Sequence, residues 1–240
     1  VQGSVTVTAW DRNEVELDAR LEGTRDELEF EATERQVRIK VTRPDGKYRN
    51  SDDDAILTIK VPKGARLFID TVSADIGVSG VRGEQRLKSV SGTVASQAFD
   101  ERVSLRSVSG DLTLTGNGGK SQATTGNVSG TTIVSGIRGS YEGEAVSGDI
   151  RATVAAADNL RVASVSGDVE VHVDLAVTAR VEMESISGTV ELVVKPPVNA
   201  EFDIESFSGD IENCFGPKAS DKSKYGPGSE LRFRQGSGGA

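Results

Sequence analysis

Three glutamates, Glu170, Glu191 and Glu212, stand 21 residues apart, and two positions before them stand Asp168, Thr189 and Asp210. If the chain returns to the same lateral position at that interval, Asp168, Glu170, Glu191, Asp210 and Glu212 share one outward acidic patch. Clustered carboxylates can hold a hard cation such as Ca²⁺, which takes about 6–8 oxygen ligands, or dock a basic partner. The plainer reading is a solvated face whose long Glu side chains splay apart and aid solubility. No EF-hand loop and no G-G-x-G-x-D nonapeptide accompanies the acids. No cofactor and no metal is therefore expected, with Ca²⁺ as the one ion this patch would take.

Other chemistry is sparse. His172 is the single histidine, and a Ser-His-Asp or Cys-His site would need it beside a nucleophile. In the strand-like EVHVDL (170–175) it faces away from Val171 and Val173, so an outward surface imidazole is expected. The chain has no P-loop, no G-x-G-x-x-G opening a helix, no H-E-x-x-H and no C-x-x-C. Paired carboxylates on a β-helix face would suit a polysaccharide lyase or hydrolase, but no spacing singles out such a pair. Aromatic residues make up only 5% of the chain, which argues against a sugar-stacking platform. Trp10 and the late group Phe202, Phe207, Phe215 and Phe233 read as cap or core residues.

What must position the acids is a repeat. One phrase occurs eight times: TVSADI (71–76), SVSGTV (89–94), SVSGDL (107–112), NVSGTT (127–132), AVSGDI (145–150), SVSGDV (164–169), SISGTV (185–190) and SFSGDI (206–211). Its serines, Ser73, Ser91, Ser109, Ser129, Ser147, Ser166, Ser187 and Ser208, step by 18 to 21 residues. A period near 20, rich in β-branched residues and punctuated by Gly, predicts an all-β, single-domain β-solenoid, parallel and β-helix-like, with one coil per repeat.

The position four before the Ser (Ile69, Leu87, Leu105, Thr125, Gly143, Val162, Met183, Ile204) and the one three after it (Ile76, Val94, Leu112, Thr132, Ile150, Val169, Val190, Ile211) are mostly aliphatic, as inward ladders require. The residue just before the Ser is apolar in every copy as well. Period-two alternation cannot turn all three inward, so the chain is expected to bend at Ser-Gly. Gly92, Gly110, Gly130, Gly148, Gly167, Gly188 and Gly209 suit such a corner, where glycine tolerates positive φ and a close neighbouring coil. The serine hydroxyls are placed to bond from coil to coil.

After the Gly the column reads Asp75, Thr93, Asp111, Thr131, Asp149, Asp168, Thr189, Asp210. Like charges stacked about 4.8 Å apart would repel by roughly 3–4 kcal/mol at an effective dielectric near 20. Alternation of Asp with Thr nearly removes the conflict, leaving Asp149 and Asp168 as the consecutive acids. Asp and Thr here read as turn formers bonding nearby backbone N–H groups. In the fourth copy Thr132 replaces an aliphatic, which predicts a weaker coil.

Residues 1–70 lack the phrase but carry alternating stretches, SVTVTAW (4–10), EVELDARLE (14–22), LEFEA (28–32), QVRIKV (36–41) and AILTIKV (55–61), read as capping strands and longer first coils. The stretches 43–54 and 212–228 read as surface loops, and ELRFRQ (230–235) as a last strand. The organisation expected is thus a cap over 1–70, regular coils over 71–211, and a loop and strand over 212–240, all one structural domain.

The net charge of −9 and pI near 4.8 leave no basic bulk to neutralise phosphates, so nucleic acid is not an expected partner. No apolar run is long enough for a transmembrane helix. Val1 in place of Met is consistent with an export signal removed upstream. Cys214, the single cysteine, permits no internal disulfide and reads as a small buried hydrophobe.

The phrase [ST]-[VI]-S-G-[DT]-[VIL] at this period, after AWDRNEVEL (9–17) and AILTIKVPKGARLFIDTVSADI (55–76), resembles the bacterial adhesin-type family, a domain of unknown function built of β-strand repeats. The resemblance covers nearly the whole chain. It implies a periplasmic, envelope-associated or extracellular protein linked to adhesion or envelope stress, with no established catalytic residue to carry over. The ending GSGGA falls where another strand and Ser-Gly turn would usually follow, so a shortened C-terminal cap is expected. The expected function is a non-catalytic binding or adhesion scaffold for an envelope protein or glycan. A carbohydrate-active enzyme on a β-helix is the first alternative, and an assembly protein that stacks end to end is the second. Homo-oligomers by end-to-end or face packing are compatible with either.

Overall fold

The computed structural model describes residues 2–22, 26–42, 54–206, 211–214, 216–221 and 228–236, in which every regular element is a β-strand. Two ladders run side by side. The first stacks β5 (Asp54–Pro62), β1 (Gln2–Trp10), β7 (Ser73–Ser79), β9 (Val94–Ala98), β11 (Leu112–Gly116), the first parts of β13 (Thr132–Ala145), β14 (Ile150–Ser166) and β15 (Val169–Ser187), and β16 (Val190–Val194), all parallel. The second stacks β6 (Leu67–Asp70), β8 (Gln85–Ser89), β10 (Arg102–Ser107), β12 (Lys120–Asn127), the second parts of β13, β14 and β15, and β17 (Ala200–Ser206), again parallel. Each coil crosses the second ladder, turns at Ser-Gly and crosses the first. The result is the expected β-solenoid, with about seven turns of roughly 20 residues.

The ends depart from a simple stack of longer first coils. The first strand, β1, lies between β5 and β7, and β2 (Glu16–Leu21) closes the outer edge of β5 in antiparallel sense. Both β1 and β5 alternate buried aliphatics (Val5, Val7; Leu57, Ile59, Val61) with outward residues, so both join the core as full rungs. By contrast β3 (Glu27–Ala32) and β4 (Val37–Thr42) pair only with each other. β3 is exposed along its whole length, whereas Ile39 and Val41 of β4 pack on the core. At the other end β19 (Ser229–Gln235) runs antiparallel on β17, with the short β18 (Ser220–Asp221) beside it. Phe202 and Phe233 stack there with centroids 4.9 Å apart, the end-cap role expected of them, while Phe207 and Phe215 lie outside the described residues. Antiparallel terminal strands interrupt the parallel stack and blunt its edges against further addition.

Both predicted inward columns are inside. Leu87, Leu105, Val94, Leu112, Ile150 and Val162 are all at most 1% exposed. The column just before the Ser is not. Val72, Val90, Val108, Val128, Val146, Val165 and Ile186 all point outward at the corner, 42–61% exposed. The bend predicted at Ser-Gly is present, and it resolves the three-column conflict by expelling this column rather than burying it. Cys214 is likewise exposed, not buried, because it follows β17 in an irregular segment off the ladders.

Thr132 occupies its aliphatic position fully buried, with a hydroxyl that has no hydrogen-bond partner. An unpaired buried hydroxyl costs about 1–3 kcal/mol. Thr132→Val, nearly isosteric and apolar, should therefore raise the urea midpoint by about 1 kcal/mol of stability at unchanged m-value. A lower midpoint would show that the coil depends on the hydroxyl.

Candidate binding surfaces

The acidic column is in register as the spacing requires. Ile133, Arg151, Glu170 and Glu191 are successive ladder partners on the outward side of the first face. The patch is more balanced than its acids alone suggest, because Arg151 stands one coil below Glu170. Its guanidinium lies 3.7 Å from Asp149 and 4.0 Å from Glu170, and His172, exposed as expected, lies 2.8 Å from the Glu170 carboxylate. Asp168 turns its carboxylate to the backbone, accepting the Thr189 N–H at 3.0 Å. Glu212 follows β17 without strand pairing, and Asp210 lies outside the described residues. Among the described residues no group of three or more His, Cys, Asp or Glu is placed to hold a metal ion.

The Ser-Gly turns form a continuous internal scaffold. Ser91, Ser109, Ser129 and Ser147 each send both the backbone N–H and the hydroxyl to one carbonyl of the coil below, that of Val72, Val90, Val108 and Val128. Ser166 makes the backbone bond to Val146, and Ser187 occupies the matching rung above Ser166. Asp75, Asp111 and Asp149 accept the N–H of the residue stacked above, Thr93, Thr131 and Asp168, at 2.7, 2.7 and 3.1 Å. For the consecutive acids Asp149 and Asp168, that N–H and the nearby Arg151 soften the repulsion.

The glycines are set by contact. A Cβ on Gly92, Gly110 or Gly148 would meet the carbonyl oxygen below at 2.1 Å, whereas Gly130, Gly167 and Gly188 also adopt φ of 124°, 128° and 108°. Ser208 and Gly209 lie outside the described residues. Sequence reasoning missed the turn's inner brace two residues before the Ser. Ser89 and Ser107 are buried, and their hydroxyls accept the N–H of Gly92 and Gly110 at 2.7 and 2.9 Å. The signal was the run of small polar residues at that position.

Two outward faces result. From β1 through β14 the first face carries mainly small or hydroxyl side chains: Thr6 and Thr8, Gly77 and Ser79, Thr113 and Thr115, then Ser135 and Thr153. Charges flank this stretch, with Lys60 and Asp75 at its N-terminal end and Arg151, Glu170 and Glu191 toward its C-terminal end. The second face borders a groove of about 980 Å³ that runs along the corner from Asp70 to Ser206. One wall of the groove is the exposed aliphatic ladder, the floor is the small polar column, and the other wall is a charged column. Those charges are Asp70, Lys88 and Arg106 in the early coils, and Glu144, Glu184 and Glu205 in the late ones.

Trp10 is no open platform. It is half-buried at the end of β1, donates Nε1–H to the Glu14 carbonyl at 2.8 Å, and lies under Arg12 and Lys60.

A stack of uniform coils with antiparallel end strands and turn-locked corners defines a β-solenoid repeat domain. The chain belongs to the Toastrack DUF4097 family, a domain of unknown function whose pattern it matches over residues 2–227. No curated protein and no solved structure matches the chain.

Proposed function

We propose that this domain is a non-catalytic cell-envelope scaffold of the adhesion type, which binds an extended glycan or protein of the envelope along its first face. The observation that supports it is one outward polar column on that face, Thr8, Ser79, Gln97, Thr115, Ser135 and Thr153 in successive coils. This column presents a hydroxyl or amide at each coil, about 4.8 Å apart, so a polymer with a repeating backbone meets similar polar partners along its length. Flat, preorganised strands also bind without ordering a loop. The periplasmic or extracellular setting follows from the family resemblance, and the acidic end of the face would set the orientation of a partner with basic groups, or of one bridged by Ca²⁺.

The test replaces Thr113 and Thr115 together by Lys, both outward on β11. Retention of the protein on isolated envelope material should fall at least about tenfold, equivalent to about 1.4 kcal/mol, with the melting temperature unchanged. Undiminished retention would remove the first face from the binding surface.

A further inference from the structure

We propose that a second copy of this chain covers the aliphatic ladder, the two solenoids lying antiparallel with their second faces together. The motivating anomaly is the ladder. Single exposed valines are unremarkable, but seven stacked in consecutive coils form one apolar strip, about 29 Å long at the 4.8 Å strand spacing.

The occupant is indicated by charge. In the column beside the ladder Lys88 and Arg106 stand in the early coils, after Asp70 in the first, and Glu144, Glu184 and Glu205 stand in the late ones. In a chain with net charge −9, this column thus sets its two cations toward one end and most of its carboxylates toward the other. Among the described residues Lys88 and Glu184 have no ion-pair partner, whereas Glu182 is held by Arg161 and Arg180 at 3.4 and 3.2 Å. A two-fold axis lying in the interface and perpendicular to the stack keeps each column opposite itself and reverses the coil order.

With the axis between the coils of Val128 and Val146, Val128 faces Val146 of the second copy, Val108 faces Val165 and Val90 faces Ile186. The same placement sets Lys88 opposite Glu184 twice, and Asp70 opposite Glu205, whose charge Arg232 offsets at 2.9 Å within its own protomer. A parallel arrangement would instead set Lys88 against Lys88. The coil spacing of one copy matches that of the other by identity, so the register holds along the whole strip. End-to-end association lacks this support, because β2 and β19 reverse strand direction at the two ends.

The face measures about 30 by 20 Å, below the roughly 800 Å² per partner of a standard interface, so the dimer is expected to be reversible. It uses the second face and leaves the first free, so it stands or falls separately from envelope binding.

The experiment is sedimentation equilibrium of the full chain from about 1 to 500 µM, a range that brackets a small interface. Lys88→Glu, Glu184→Lys and the double variant are run beside the wild type, with melting curves to check folding. The wild type should pass from monomer to dimer. Each single change should weaken the dimer about tenfold, and the double should return to within about twofold of wild type, since both pairs are restored with reversed sign. A wild type that stays monomeric throughout overturns the proposal. So does a double variant as weak as the singles, and so does a dimer that survives Val108→Asp unchanged.

Discussion

Gly110→Ala is expected to destabilise the protein by at least about 3 kcal/mol, beyond the usual cost of a surface substitution. The added Cβ would lie 2.1 Å from the Gly92 carbonyl oxygen, with the Ser107 hydroxyl at 3.1 Å on its other side. Neither neighbour can withdraw freely. The Gly92 backbone is tied to Ser89, and Ser107 accepts the Gly110 N–H. To admit the methyl group, two coils must separate at the corner and stretch the paired bonds between Val90 and Ser109. Gly77→Ala is the matched control, because a Cβ there meets nothing within 4 Å and the residue lies in strand β7. That change should be neutral or stabilising by a few tenths of a kcal/mol. Urea unfolding of the two variants measures the difference, and equal midpoints would show that the glycine column is not set by close approach.

Alkali should weaken the fold through one buried phenol. Tyr141 is fully buried in β13, and burial pushes its pKa up to about 12 from 10, against a smaller opposing effect of its hydrogen bond with Thr125. Below pH 10 both folded and unfolded chains keep the proton, and the contribution is fully present. Between about pH 10 and 12 the unfolded chain releases it first, so the unfolded state binds fewer protons and stability falls as pH rises. A rise from 10 to about 12 corresponds to about 2–3 kcal/mol lost across that window. Tyr141→Phe should be less stable at neutral pH by about 1–2 kcal/mol, since Thr125 loses its 2.9 Å partner. Its stability should then decline less steeply above pH 10. Parallel alkaline slopes for wild type and variant would contradict this assignment.

Tyr141 also explains a gap in the sequence reading. Thr125 and Gly143 break the inward column, and nothing in their own types says why. Tyr141 enters from the neighbouring column, bonds Thr125 and fills the space over Gly143, where a Cβ would meet its hydroxyl at 2.6 Å. Such compensation crosses columns and coils, so a column-by-column reading cannot find it.

The solenoid, its period, the inward ladders and the stacking of Glu170 on Glu191 were legible because each depends only on spacing. The outward Val ladder was not, since apolar character at the corner resembles a core position until the turn geometry decides its direction. Nor was the place of β1 between β5 and β7, which depends on pairing between segments far apart in the chain. For the candidate site, position along the ladder was readable and charge balance was not. The acids stood out in the sequence, while Arg151 became relevant only once 18-to-21-residue neighbours were placed on one rung.

Incubating the purified protein with a panel of envelope and extracellular polysaccharides and with native envelope fractions, with and without Ca²⁺, separates a scaffold from an enzyme. Retention and the release of new chain ends are followed in the same samples. A non-catalytic scaffold predicts retention on at least one of these with no new chain ends, and a gain in retention with Ca²⁺ would assign the cation to the Glu170 and Glu191 end of the face. Sustained release of new chain ends, abolished by changing a few clustered acids in a protein that still folds, would make this solenoid an enzyme and overturn the scaffold role.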